Sequence, residues 1–309
     1  MALLGSSNLQ RCASWPAASV MPAPIPRGVP HRVTAATQRH TVNVSAAMAH
    51  PMFTIREVHT RPSRQSRKHV VVRANWGAPV EFKTAKVLQN KQVAPGLHQL
   101  LVDVGALASG YTKPGQFIQA KVVADGKPGF FAIASPPDVN NSGVLELLIK
   151  RVPGGAAEAL CSLAPGGELM VSPVQGKGFP VDKIPAASYP TLLMFATGSG
   201  ISPIKAVIES GVLELPKRKD VRLYYGAKSA EAMAYKELLP AWSALGVKVV
   251  PVHSGKGGAA KYVQDALAAD GPLPNPAGTG VLLCGQKDMV TAVTGQLQPQ
   301  GVEHLLLNF

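Results

Sequence analysis

From residue 78 to about residue 180 the chain shows short extended runs in which apolar and polar positions alternate. The runs cover 80–88, 97–104, 116–123, 130–134, 145–152 and 168–172. Turn pairs separate them: Pro95-Gly96, Pro114-Gly115, Asp125-Gly126, Asn141-Ser142-Gly143 and Pro165-Gly166. Short strands at this spacing predict a small antiparallel barrel. One helical piece interrupts it, with Ala156, Ala157, Ala159, Leu160 and Leu163 at helix spacing after Gly154-Gly155. A glycine pair opening a helix suits an anion held by free N–H groups, and suits a plain connecting helix equally.

After Tyr189 the rhythm changes to strand and helix in alternation. Apolar runs at 192–196, 221–225, 247–252 and 281–284 are each followed by a helical pattern, starting at Pro203 and covering 230–239, 262–269 and 287–297. This predicts a doubly wound parallel sheet over 188–309, with ligands at the carboxyl ends of its strands. Four of those ends carry glycines, hydroxyls or lysines: Thr197-Gly198-Ser199-Gly200, Gly226-Ala227-Lys228, His253-Ser254-Gly255-Lys256 and Cys284-Gly285. The first is the sharpest. A buried strand, a glycine turn and a helix opening with Pro203 present backbone N–H groups and a helix dipole to a phosphate. It is not the common G-x-G-x-x-G fingerprint, because Pro203 stands at the third glycine.

Charge changes the picture mainly at the front. The formal net charge is +13. Residues 1–74 carry ten Lys/Arg and one acid, Glu57, so +9 of the +13 lies there. Rich in Ala, Ser, Pro and Arg, this stretch reads as a removable organelle transit peptide with cleavage near Ala74, for the chloroplast stroma or alternatively the mitochondrion. The body keeps only +4 and no basic run interleaved with aromatics, which speaks against a nucleic-acid partner. Cys12, Cys161 and Cys284 match neither a disulfide framework nor a zinc spacing. No run of about 18 apolar residues predicts a membrane span.

The motifs together resemble the ferredoxin–NADP reductase family over roughly 78–309. Ala196-Thr197-Gly198-Ser199-Gly200-Ile201-Ser202-Pro203 is similar to its pyridine-nucleotide turn, A-T-G-T-G-I-A-P. Cys284-Gly285-Gln286-Lys287-Asp288-Met289 is similar to its C-G-x-x-x-M motif. Pro114-Gly115-Gln116, the stretch Leu160-Cys161-Ser162-Leu163-Ala164-Pro165-Gly166 and Tyr235-Lys236-Glu237 resemble further family signatures. The resemblance implies a Greek-key FAD-binding barrel over 78–180 and an NAD(P)-binding domain over 188–309.

It also implies site residues. The flavin segment Arg-x-Tyr-Ser followed by Ile-Ala-Ser falls on Gly129-Phe130-Phe131-Ala132-Ile133-Ala134-Ser135. The arginine that pairs the flavin pyrophosphate is therefore Gly129, the stacking tyrosine is Phe131, and a serine is Ala132. Ile149, Lys150, Gly154, Gly155, Ala156 and Ala157 form the second flavin segment, with Ala157 in place of a serine. One lost charge-assisted contact is worth about 1.5–3 kcal/mol, so FAD is expected to bind more weakly unless Lys127, Lys150 or Arg151 substitutes. Ser254, Lys256 and Tyr262 stand where the family meets the 2′-phosphate, so NADP is expected, with NAD as the alternative. Gly285 and Met289 complete the nucleotide site, Cys284 lies beside the nicotinamide, and Phe309 covers the flavin.

The implied function is an FAD-dependent NAD(P)H oxidoreductase that passes electrons to an unidentified acceptor, such as a small redox protein. The alternative is a degenerate reductase fold that binds nucleotide or a partner with weak flavin or none.

Overall fold

A computed structural model describes residues 80–137, 142–255 and 261–308. The leader over 1–74, Lys256 and Phe309 lie outside them. The first half is a six-stranded antiparallel sheet: β1 (Lys83–Ala94), β2 (Leu97–Asp103), β3 (Phe117–Lys121), β4 (Gly129–Ala132), β5 (Val144–Lys150) and β6 (Glu168–Val171). Its order is β4-β3-β6-β1-β2-β5, and a bridge between Ile133 and Leu147 joins the two ends into a barrel. Alternate positions point inward, so Val87, Leu100, Val102, Ile118, Leu147 and Val171 fill the interior. The helix α1 (Ala156–Cys161) plugs one end, with Leu160 and Cys161 buried.

Two expectations change here. β1 runs well past residue 88, because the polar stretch after it continues as the outer face of a hairpin that turns at Gly96, φ +70°. The strand bends at two register shifts along the way. α1 ends at Cys161, short of Leu163, where Asn90 Nδ2 donates to the carbonyls of Cys161 (3.1 Å) and Leu163 (2.7 Å).

The second half is a five-stranded parallel sheet of β7 (Thr191–Thr197), β8 (Asp220–Ala227), β9 (Lys248–His253), β10 (Thr279–Cys284) and β11 (His304–Leu307), in the order β11-β10-β7-β8-β9. Helices α2 (Ile201–Glu209) and α3 (Leu239–Ala244) and helices α4 (Val263–Ala269) and α5 (Lys287–Leu297) cover it. β7 is central and buried on both faces, as its apolar run predicts.

The helix expected over 230–239 does not form. Tyr235 sits in the left-handed region at φ +60°, and Pro240 suits the first turn of a helix that starts only at Leu239. α2 begins at Ile201, two residues before Pro203.

The halves share a core. Ala94, Leu97, Ala134 and Leu148 of the barrel pack in one cluster with Ile201, Ile204, Val207 and Tyr225 of the second half. Arg218 staples the connection by donating to the carbonyls of Ile184, Tyr189 and Leu213 at 2.8, 2.6 and 2.7 Å.

Candidate functional site

β7 delivers the glycine turn to the edge of the barrel. Gly198–Gly200 is a single 3-10 turn that runs straight into α2. Gly198 has φ +54° and open space where a Cβ would stand, so it serves the backbone conformation. Gly200 serves a close approach: a Cβ there would sit 2.5 Å from the carbonyl oxygen of Cys284 and 2.9 Å from Cα of Gly285. The turn after β7 thus rests directly on the end of β10. Thr197 Oγ1 closes the joint by accepting the N–H of Gln286 at 3.0 Å.

These elements line a cleft of about 1010 Å³ between the two halves. On one side stand Phe130, Phe131 and Ala132 of β4 with Leu148, Ile149 and Lys150 of β5. On the other side stand Thr197, Gly198, Ser199, Gly200, Pro203, Gly226, Lys228, Ser254, Tyr262, Cys284, Gly285 and Met289. The lining adds residues to which sequence reasoning gave no role of their own: Ser202, Gln264, Gln286 and Asp288, which lie within or beside its motifs, and Lys261 and Asn308, which it passed over.

Several expected residues fall elsewhere. Ile133 and Ala134 are fully buried. Ser135 is half-buried and tied to the barrel, its Oγ accepting the N–H of Glu146 (3.2 Å) and its carbonyl accepting the hydroxyl of Tyr111 (2.8 Å). Gly154, Gly155, Ala156 and Ala157 lie at the start of α1 and do not line the cleft themselves, but Ala156 stands next to the wall, its Cβ 3.4 Å from where a Cβ of Gly129 would be, beside the Phe131 ring. There the N–H of Gly154 donates to Glu158 Oε2 at 2.8 Å, and Glu158 also faces Arg151 at 3.5 Å. The Glu158 carboxylate thus holds the N–H just ahead of the helix, at Gly154.

The electrostatics favour anions. Lys150, Lys228 and Lys261 face the cleft against one acid, Asp288. Asp265 Oδ2 accepts the N–H groups of Lys261 and Tyr262 at 3.1 and 2.8 Å, which fixes this corner, and Lys261 Nζ lies 5.6 Å from the centre of the exposed Tyr262 ring. Burial pushes the Cys284 thiol up to about 12, so it is neutral at physiological pH.

Gln264 offers a direct test of whether a polar ligand suits the site. Its Oε1 is buried in the cleft wall and has no partner among the described residues. An orphan acceptor costs about 1–3 kcal/mol, which a ligand donor would recover. The barrel side passes a different test. Phe131, Ile149 and Leu148 make a wall suited to a flat apolar ring. The Phe131 ring leans over Gly129, with Cζ 2.6 Å from where a Cβ of residue 129 would stand. The ring fills the space that a side chain at residue 129 would enter, and among the described residues Lys150 is the cation in that wall.

The comparisons agree with this geometry. The family model for the oxidoreductase NAD-binding domain matches residues 194–295. Fruit protein pKIWI502 of Actinidia deliciosa is 39% identical over 223 residues, 68% of this chain and 70% of that protein. The chloroplastic ferredoxin–NADP reductase of Mesembryanthemum crystallinum is 28% identical over 202 residues, 57% of this chain and 53% of that protein. Among solved structures, a ferredoxin NADP+ reductase from Neisseria gonorrhoeae with bound FAD and NADP superposes with a TM-score of 0.61 at 18% identity, covering 74% of this chain and 98% of that one.

Proposed function

The chain belongs to the ferredoxin–NADP reductase-like flavoprotein family, and from that premise we propose that it is an FAD-dependent oxidoreductase drawing hydride from NADPH and passing electrons to a separate acceptor. One observation carries the reading: a single cleft joins the glycine turn and the β10 end on one wall to Phe131 and Ala132 on the other. Family membership places the chain among NAD(P)H-dependent electron-transfer proteins; FAD, NADPH and the site roles below are our reading.

Each group has a stated task. N–H groups of Gly198–Gly200 and the start of α2 hold the nucleotide pyrophosphate. Lys228, Ser254 and Lys261 give the 2′-phosphate two cations and a hydroxyl, and Tyr262 offers a flat exposed face beside them. Gln264 Oε1 accepts from an adenosine or ribose donor. Cys284 and Gly285 close the inner end, where a neutral thiol next to a residue without a side chain leaves room for a planar ring. Phe131, Leu148 and Ile149 receive the flavin ring, with Lys150 turned to its phosphates. The flavin, when bound, supplies two-electron acceptance and release of electrons singly or in pairs. The protein contributes positioning, exclusion of water and fixed charge. Residues 1–74 are read as a plastid-targeting leader on their composition, a reading supported by the chloroplastic reductase among the relatives.

A second reading, a nucleotide-binding module without flavin, is favoured by Gly129, which gives β4 no cation for a pyrophosphate, and by the Glu158 carboxylate beside the start of α1. The absorption spectrum of the purified chain, titrated with FAD and then NADPH without oxygen, separates the two. Visible flavin bands that bleach with NADPH are expected. A protein that stays colourless with excess FAD would sink the reductase reading in favour of the module.

A further inference from the structure

Two largely apolar elements each bury one charge. α2 is buried almost all round, yet it carries Lys205. β5 reads Val-Leu-Glu-Leu-Leu-Ile-Lys, and its Glu146 is buried. They meet across the junction of the two halves. Lys205 Nζ lies 2.9 Å from Glu146 Oε2, with side chains 8% and 10% exposed.

All three donors of the Lys205 ammonium are used, and both oxygens of Glu146 accept. The Lys205 ammonium donates to Glu146, to Glu209 at 2.8 Å and to the carbonyl of Ala134 at 3.3 Å. Glu146 Oε1 accepts from Gln99 and from the hydroxyl of Tyr235, both at 2.7 Å. The Glu146 backbone also binds the segment after β4, its carbonyl accepting the N–H of Ala134 and its N–H donating to Ser135 Oγ. Glu209 Oε1 accepts Trp242 Nε1 at 3.2 Å. Burial and the neighbouring Glu146 carboxylate push the Tyr235 phenol well above its usual range, so it remains a donor. The left-handed turn at Tyr235 is what brings that hydroxyl inward.

A buried ion pair adds little to stability, since desolvation consumes most of its Coulomb energy, and an apolar pair of the same volume would pack as well. Its distinctive property is orientation, because each hydrogen bond accepts a narrow range of distance and angle. Here the oriented groups stand just behind both walls of the cleft. Lys205 is five residues beyond Gly200, about 7.5 Å along the helix. Ala134 is two residues beyond Ala132, about 7 Å along extended chain.

We infer that Lys205 and Glu146 are positioning residues: their pair fixes α2, and with it the nucleotide turn, against the segment that follows Phe131 and Ala132, and so sets how the nicotinamide meets the flavin wall. This rests on the reading of the cleft given above. Hydride transfer is sensitive to misplacement on the scale of an ångström, where about 100-fold in rate can be lost.

The test is Lys205→Met/Glu146→Gln in the full chain, a change that removes both charges, fills the volume and leaves an acceptor for Tyr235 and Gln99. Amide hydrogen exchange is measured first, without cofactor. Protection is expected to fall tenfold or more in residues 133–135 and 201–208, and to stay within threefold in β6 and β9. NADPH affinity, by fluorescence titration, is expected within threefold of wild type. The rate of flavin reduction at saturating NADPH is expected to drop about 10- to 100-fold. Protection unchanged in both segments, a uniform loss across both sheets, or a reduction rate within threefold of wild type would each overturn the inference. If wild type itself shows no flavin reduction, the reading of the cleft fails, while the exchange result still decides the positioning role. Should the double variant not fold, Glu146→Gln alone keeps the lysine and is read the same way.

Discussion

At the glycine turn, the wall of the cleft on the α/β side is built from backbone, and the facing wall of the barrel from side chains. At Gly200 the neighbours of an added Cβ are backbone atoms of the β10 end, which cannot move without parting β7 from β10, and Gly285 holds φ at +149°, where a side chain is strained. At Gly129 the neighbour is the far end of the Phe131 ring, which can rotate. Backbone surfaces tolerate no substitution and therefore keep a recognisable pattern. Side-chain surfaces can trade one contact for another, which is how the family resemblance reads Gly129, Phe131 and Ala132: in place of an arginine, a tyrosine and a serine.

Gly200→Ala breaks the comparison at its strongest point. The new methyl group meets the Cys284 carbonyl at 2.5 Å, and its carbon at 2.8 Å. The turn must lift off β10 or α2 must shift, and either change disperses the N–H groups that hold a pyrophosphate. NADPH affinity is expected to fall by 100-fold or more, about 2.8 kcal/mol, in a fluorescence titration, with the flavin unaffected. Loss of less than tenfold would mean that this turn is not the phosphate cradle.

The same contrast explains what could be read along the chain. The β7 run, the glycines after it and the Cys284-Gly285 pair are local, contiguous and sterically forced, so they stand out without partners. β11 has four residues, too few for a periodic pattern, and exists because β10 offers it an edge. The expected helix over 230–239 had suitable apolar spacing, but Tyr235 is drawn inward to Glu146, a bond across 89 positions that no local pattern contains. Lys205 and Glu146 had no role in the sequence reading, although each stands in a largely apolar run. Nothing in the chain pairs them across 59 positions. Lys261, in a loop, looks like any solvated lysine until the fold sets it in the cleft wall.

Gly129→Arg sharpens the comparison from the other side. Its Cβ would displace the Phe131 ring from over residue 129 and put a guanidinium on β4. A regained charge-assisted contact of about 1.5–3 kcal/mol corresponds to a 10- to 100-fold gain in FAD affinity, measured by quenching of flavin fluorescence. A fall in affinity would show that the ring, in its present position, is what the flavin rests on, and that the wall has been rebuilt around Phe131 rather than merely depleted.

The smallest effect concerns the choice of nucleotide. Lys228 and Lys261 are the described cations at the far end of the α/β wall, next to Ser254 and Tyr262. Lys261 is exposed, so its bond to a phosphate is screened and competes with water. Each lysine replaced by alanine is expected to weaken NADPH by about threefold to fivefold and to leave NADH unchanged, because NADH lacks the group they meet. The double replacement is expected to multiply the two losses, since the two cations act on one phosphate without touching the glycine turn. Equal losses for both nucleotides would move these lysines to the shared pyrophosphate, and the preference would then have to come from a residue beyond the cleft wall described.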